Sequence, residues 1–178
     1  MASGSDDRTV RIWDLSSGKV VHTLVGHQNW IDGVAWSPGG KRLATCAADS
    51  TIRIWNAVTG ELTDTLTDHE QRVRAIAWSP DGARLASGSN DCTVRVWKPG
   101  SQCESTVIGV HQQRVRTVGW LPDGGHVITG SIDATVRIWQ ADVDLDALLR
   151  IARTHTFRAL TAEERRTHLL PEHAQTSA

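Results

Sequence analysis

A seven-residue pattern recurs four times in this chain at an unbroken step of 42 residues, and no other feature constrains the fold as tightly. The copies are DRTVRIW from Asp7 to Trp13, DSTIRIW from Asp49 to Trp55, DCTVRVW from Asp91 to Trp97 and DATVRIW from Asp133 to Trp139. Each opens with an Asp suited to a tight turn and continues into β-branched residues and a Trp. Period-two alternation puts Thr, Arg and Trp on one face and Val or Ile on the other. Such a segment is a strand with two usable faces. A fixed period held over several units signals a repeat architecture.

Other ladders keep the same step. Trp36, Trp78 and Trp120 stand in VAWSPGG, IAWSPDG and VGWLPDG, each a short apolar strand closed by a Pro-x-Gly turn. His27, His69 and His111 form a second ladder, and Ser3, Thr45, Ser87 and Thr129, four residues before each repeated Asp, form a third. The series two residues before the Asp (Ser5, Ala47, Ser89, Ser131) is broken by Ala47, so the earlier hydroxyl is expected to be the structural one. Between turn signals each unit yields four strands; in the third these are RVRAIAW, ARLASGS, TVRVW and a weaker one near ESTVIG. The pattern predicts an all-β repeat, and a 42-residue unit of four antiparallel strands has the size of a propeller blade.

Composition narrows the function classes. With 39% hydrophobic and 22% charged residues the chain is neither disordered nor a membrane span. No apolar run reaches the ~18 residues of a spanning helix, and MASGSDDR lacks the apolar centre of a signal peptide. A net charge of -1 disfavours a polyanion partner, so nucleic-acid binding stays only as the alternative reading. Cys46, Cys92 and Cys103 show no paired spacing, which predicts a reducing, cytoplasmic setting. Seven of the eight Trp lie on the two Trp ladders; Trp30 alone does not.

These residues resemble the WD-repeat (WD40) β-propellers. The GH dipeptide stands at Gly26-His27 and the WD dipeptide at Trp13-Asp14; later copies read Trp55-Asn56, Trp97-Lys98 and Trp139-Gln140, and Asp68 and Val110 replace the Gly. The resemblance covers residues 1–140 and implies a partial propeller of about 3.5 four-stranded blades, in units 1–24 (incomplete), 25–66, 67–108 and 109–140. Closed members of the family usually have seven or eight blades. The resemblance therefore implies upstream blades in a longer chain, or self-association to complete the ring. Residues 141–178 are expected to be a helical tail, with Leu145, Leu148, Leu149 and Ala152 on one helix face and a capping box from Thr161 to Glu164. That tail resembles the ending of large bacterial WD-repeat signalling proteins, and so implies the C-terminal part of one.

The resemblance also implies buried hydrogen-bonded tetrads: His27, Thr45, Asp49 and Trp55; His69, Ser87, Asp91 and Trp97; His111, Thr129, Asp133 and Trp139. A hydrolase triad uses the same side chains, but this set recurs in every complete unit, and two units carry Thr in place of Ser. No G-x-S-x-G elbow, phosphate loop or paired His or Cys spacing occurs, so no catalytic, cofactor or metal site is expected. In the family, the first outward residues of the strand after each ladder His line the top-face entrance to the central channel. Carried over, these are Trp30 and Asp32, Arg72 and Arg74, and Arg114 and Arg116. The expectation is a non-enzymatic scaffold offering four Arg beside an exposed Trp to an acidic or phosphorylated peptide or protein. The third-strand series Arg11, Arg53, Arg95 and Arg137 recurs in every unit and is expected to pack.

Overall fold

The computed structural model describes residues 1–100 and 104–141. The helices expected beyond residue 141 lie outside the described residues. Among the described residues, fourteen strands form four antiparallel sheets. Blade 1 is β1 (Ala2–Gly4), β2 (Thr9–Asp14) and β3 (Lys19–Val25). Blade 2 is β4 (Ile31–Trp36), β5 (Arg42–Ala47), β6 (Ile52–Asn56) and β7 (Leu62–Leu66). Blade 3 is β8 (Val73–Trp78), β9 (Leu85–Ser89), β10 (Thr93–Lys98) and β11 (Glu104–Val110). Blade 4 is β12 (Val115–Trp120), β13 (His126–Ser131) and β14 (Val136–Gln140). Within each sheet, strands that follow one another in sequence are neighbours, so every blade is a meander.

The repeated Asp builds the turn before each third strand. Asp49 Oδ1 accepts the Thr51 N–H at 3.0 Å and its hydroxyl at 2.8 Å, and Asp7, Asp91 and Asp133 do the same for Thr9, Thr93 and Thr135. The residue between is forced to positive φ: Arg8 at 70°, Ser50 at 67°, Cys92 at 71° and Ala134 at 63°. A left-handed L-residue costs about 1–2 kcal/mol, and the two bonds to the carboxylate offset it.

The core lies between blades, not within them. The Val/Ile face of each third strand meets the first two strands of the blade that follows. Val10 and Ile12 pack with Ile31 and Leu43; Ile52 and Ile54 with Val73, Trp78 and Leu85; Val94 and Val96 with Val115 and Val127. All six third-strand residues are at most 5% exposed, and each such side chain contributes about 1.5–3 kcal/mol. Val136 and Ile138 occupy the same positions in β14 and are 71% and 59% exposed, since no described residues follow to cover them. The seam is pinned by polar contacts with the same period. The Trp78 indole donates to Ala35 O at 3.1 Å and Trp120 to Ala77 O at 2.9 Å. Arg42 lies over the Trp78 ring and Arg84 over Trp120, each also donating to a carbonyl of the following blade's turn, Gly82 O and Gly124 O. Trp36 has no such carbonyl among the described residues and is 37% exposed.

Each of β4, β8 and β12 begins with a bulge against its neighbour. The register shifts between Ile31 and Gly33, between Val73 and Ala75, and between Val115 and Thr117, so Asp32, Arg74 and Arg116 are the extra residues. A bulge interrupts alternation and re-aims a side chain.

Gly88 tests the inter-blade account. A Cβ there would stand 2.5 Å from Val115 Cγ1 and 2.8 Å from Val118 Cγ2. Gly88→Val is expected to destabilise the fold by roughly 1–3 kcal/mol or more in urea titration, as overpacking against a neighbouring strand does.

Candidate functional site

Two polar constellations recur blade by blade, one sealed and one open. The sealed one joins the His, hydroxyl, Asp and Trp ladders. In blade 2, His27 Nδ1 lies 2.9 Å from Asp49 Oδ2 and its Nε2 lies 2.8 Å from Thr45 Oγ1, while the Trp55 indole donates to that hydroxyl at 2.9 Å. Blade 3 repeats this with His69, Asp91, Ser87 and Trp97, and blade 4 with His111, Asp133, Thr129 and Trp139. Donor counting assigns one arrangement. The indole gives its proton to the hydroxyl, the hydroxyl gives its own to Nε2, and Nδ1–H donates to the carboxylate. In blade 1, Trp13 donates to Ser3 at 2.9 Å. The second hydroxyl series serves the turns instead. Ser5, Ser89 and Ser131 accept the N–H of a turn residue, and Ser89 and Ser131 also donate to carbonyls at the start of their blade.

Ser87, His69 and Asp91 thus have the connectivity of a hydrolytic triad. Burial separates them from that chemistry. Ser87 has no exposed surface, His69 is 4% exposed, and the lone pair a nucleophile would use already accepts the Trp97 indole. Burial holds the His27 imidazole below its ordinary range despite the Asp49 hydrogen bond. Burial alone would raise the Asp49 carboxyl, but the Gln28 N–H, the Thr51 hydroxyl and His27 together hold it low. Asp91 is likewise opposed by burial and held low by His69 and Thr93. The direction at His27 suits a fixed neutral imidazole there, not a base poised to take a proton.

The open constellation sits at the bulges of β4, β8 and β12. Backbone bonds of one kind place its residues: Ala48 N–H donates to Trp30 O, Asn90 N–H to Arg72 O and Ile132 N–H to Arg114 O, at 2.8, 2.9 and 3.0 Å. Asp32 reaches across to blade 3. Arg72 grips it with both arms, Nε to Oδ2 at 2.6 Å and Nη2 to Oδ1 at 2.5 Å, and Arg74 Nη1 lies 3.3 Å from Oδ1. Arg74 Nε donates to Asn90 Oδ1 at 3.1 Å. The Arg72 guanidinium also covers the Trp30 ring at 5.4 Å, leaving Trp30 50% exposed. The Asp32 hydrogen bonds raise the Arg72 pKa. Arg74 is pushed down by partial burial and by the Arg72 and Arg116 charges, against the pull of Asp32.

The structure therefore brings Trp30, Asp32, Arg72 and Arg74 into one network and leaves Arg114 and Arg116 outside it. Both are exposed, and neither side chain has an ion pair or hydrogen bond among the described residues. Asp32 is not an independent contact point; it is a carboxylate 10% exposed, enclosed by the Arg of the next blade. Asn90, directly before the turn Asp91, also joins the network, as the acceptor of Arg74 Nε. In the third-strand series, Arg11 pairs with Asp7, Arg95 donates to Ser105, Arg137 lies over Trp139, and the Nε atoms of Arg53 and Arg95 are sealed from solvent without a hydrogen bond. No group of His, Cys, Asp and Glu able to hold a metal ion occurs among the described residues.

A family profile described as the IFT122 first beta-propeller matches residues 1–155. The Lissencephaly-1 homolog of Branchiostoma floridae is 56% identical over 41 residues, 23% of this chain and 10% of that protein. The nuclear distribution protein PAC1 of Mycosarcoma maydis is 56% identical over 43 residues, 24% of this chain and 10% of that protein. The matched stretch thus spans about a tenth of each relative and is close to one repeat long.

Ser87→Ala would leave the buried Trp97 indole without an acceptor and His69 Nε2 without a donor. The expected loss is roughly 2–6 kcal/mol of folding stability, at about 1–3 kcal/mol for each of the two stranded groups. Chemical denaturation of the variant measures it; unchanged stability would remove the structural reading of the network.

Proposed function

Since the chain belongs to the IFT122 first β-propeller family, and so to the WD-repeat propellers, we propose that it is a non-enzymatic protein-interaction module. Its binding surface is the open constellation, and its partner is a protein segment bearing acidic or phosphorylated side chains. The observation that carries the reading is the exposed Trp30 ring and the pair Arg114 and Arg116, which have no acceptor among the described residues, displayed at repeat-equivalent strand starts. Arg and Trp are the side chains most enriched at binding hot spots, and Arg grips carboxylates and phosphates with two parallel bonds. The blades supply rigidity, and the positions that differ between repeats supply specificity.

Finer points rest on less. The pattern ALLRIAR after the last repeat supports a place in a larger bacterial signalling protein, and the cysteine usage supports a cytoplasmic one. The uncovered Val136 and Ile138 support further blades, from the same protein or from a second copy, against β14.

An array of acidic, phosphorylated, neutral and basic peptides tests the reading. The protein is expected to select the acidic and phosphorylated members, and Arg114→Ala/Arg116→Ala to lose that selection while melting unchanged. Selection of neutral or basic peptides, or equal binding by the double variant, contradicts it. Binding to duplex DNA that falls steeply with salt would favour a nucleic-acid partner instead.

A further inference from the structure

We infer that Arg114 and Arg116 form an oxyanion site in which a partner's side-chain carboxylate or phosphate takes the place that Asp32 fills one blade earlier. The inference rests on the protein-binding reading above and assigns the chemistry of one subsite within it.

The repeat itself carries the argument. Blades 3 and 4 present the same pair at the same two positions, Arg72 with Arg74 and Arg114 with Arg116. The backbone that presents them is equivalent, with a bulge at Arg74 and at Arg116 and a turn N–H donating to Arg72 O and to Arg114 O. In blade 3 the pair has two acceptors. Asp32, the bulge residue of the preceding blade, takes both arms of Arg72 and one of Arg74, and Asn90, in the blade's own turn, takes Arg74 Nε. Moving each acceptor on by 42 residues gives Arg74 in place of Asp32 and Ile132 in place of Asn90. Both acceptors are gone, and one has become a third cation.

The side chains respond accordingly. Arg74 directs its guanidinium to Asp32 and Asn90, and no hydrogen bond joins it to Arg114 or Arg116. The Arg116 charge nonetheless reaches Arg74 and contributes to the depression of its pKa. Ile132 is 41% exposed beside the pair, an apolar surface against which the methylenes of an anionic side chain can rest. An oxyanion there would receive charge-assisted bonds from two guanidinium groups and relieve the repulsion that three Arg create. The Asp32–Arg72 fork is the template for its geometry.

The test uses two five-residue peptides, Gly-Ser-X-Ser-Gly, with X either Glu or phosphoserine, and a third with Gln at X as the neutral control. Calorimetric titration of the whole protein should show both anionic peptides binding and the Gln peptide not; the tighter of the two identifies the source of the oxyanion. Arg74→Asp restores the missing carboxylate within the chain. It should melt at the same or a higher temperature and bind either anionic peptide roughly tenfold more weakly or worse. Asp32→Asn does the reverse: it frees Arg72 and Arg74 and should raise the stoichiometry from one towards two. Should Arg74→Asp fold poorly, Arg116→Gln reports the same loss. Equal binding by wild type, Arg74→Asp and Arg116→Gln, or wild-type binding indifferent to the charge at X, overturns the site. Peptide capture that depends on Trp30 and ignores Arg74→Asp overturns the site while the protein-binding reading stands. If no peptide binds but inorganic phosphate does, and Arg74→Asp abolishes it, the site stands and the protein-partner reading falls.

Discussion

Every level of this structure depends on one contact, the Val/Ile face of a third strand sealed by the first two strands of the next blade. A single blade cannot hide that face, because its own strands lie beside it in the sheet and not above it. The six residues sealed in this way and the two left open in β14 have the same chemistry; what differs is the presence of a following blade among the described residues. The seam also sets blade spacing, which is why Gly88 has room for no side chain facing Val115. Once the seams are equal, residues 42 apart occupy equivalent surroundings, and a change of residue type at one of them becomes a local change of chemistry.

The buried networks show how a recurring set of catalytic residue types can be framework. A hydroxyl, an imidazole and a carboxylate satisfy one another and accept an indole N–H in a space closed to solvent. Half-satisfied, such a network would cost stability; complete, it holds each turn and each inner strand in one arrangement. The strain at Arg8, Ser50, Cys92 and Ala134 belongs to the same device, since the Asp that forces the positive φ also anchors the imidazole where a first strand is present.

Much of the fold was legible because its determinants are local and periodic. The D-x-T turn, the alternating third strand and the Pro-x-Gly turn each declare themselves within seven residues, and repetition removes ambiguity. The candidate surface was legible only as a set of residue types. Trp30, Asp32 and the paired Arg stand at strand starts where the repeats differ in residue type. A bulge at Asp32, Arg74 and Arg116 intervenes, and no residue type at those positions announces it. The pairing of Asp32 with Arg72 joins residues 40 apart in different sheets, which depends on the angle between blades. The same holds for Arg42 over Trp78, a contact across the same seam between residues 36 apart. The positions that separate one blade from the next, more than those that repeat, distinguish satisfied Arg from unsatisfied Arg.

The central claim is that Asp32 neutralises the Arg pair of blade 3 across the seam, whereas the pair of blade 4 has no counterpart among the described residues. A double-mutant cycle on Asp32→Asn and Arg72→Gln, run beside one on Arg74→Gln and Arg114→Gln, tests it most directly. The account predicts a favourable coupling of about 1–3 kcal/mol for the first pair, in the range of charge-assisted bonds that are partly buried, and a zero or repulsive coupling for the second. Equal couplings at the two seams would contradict it.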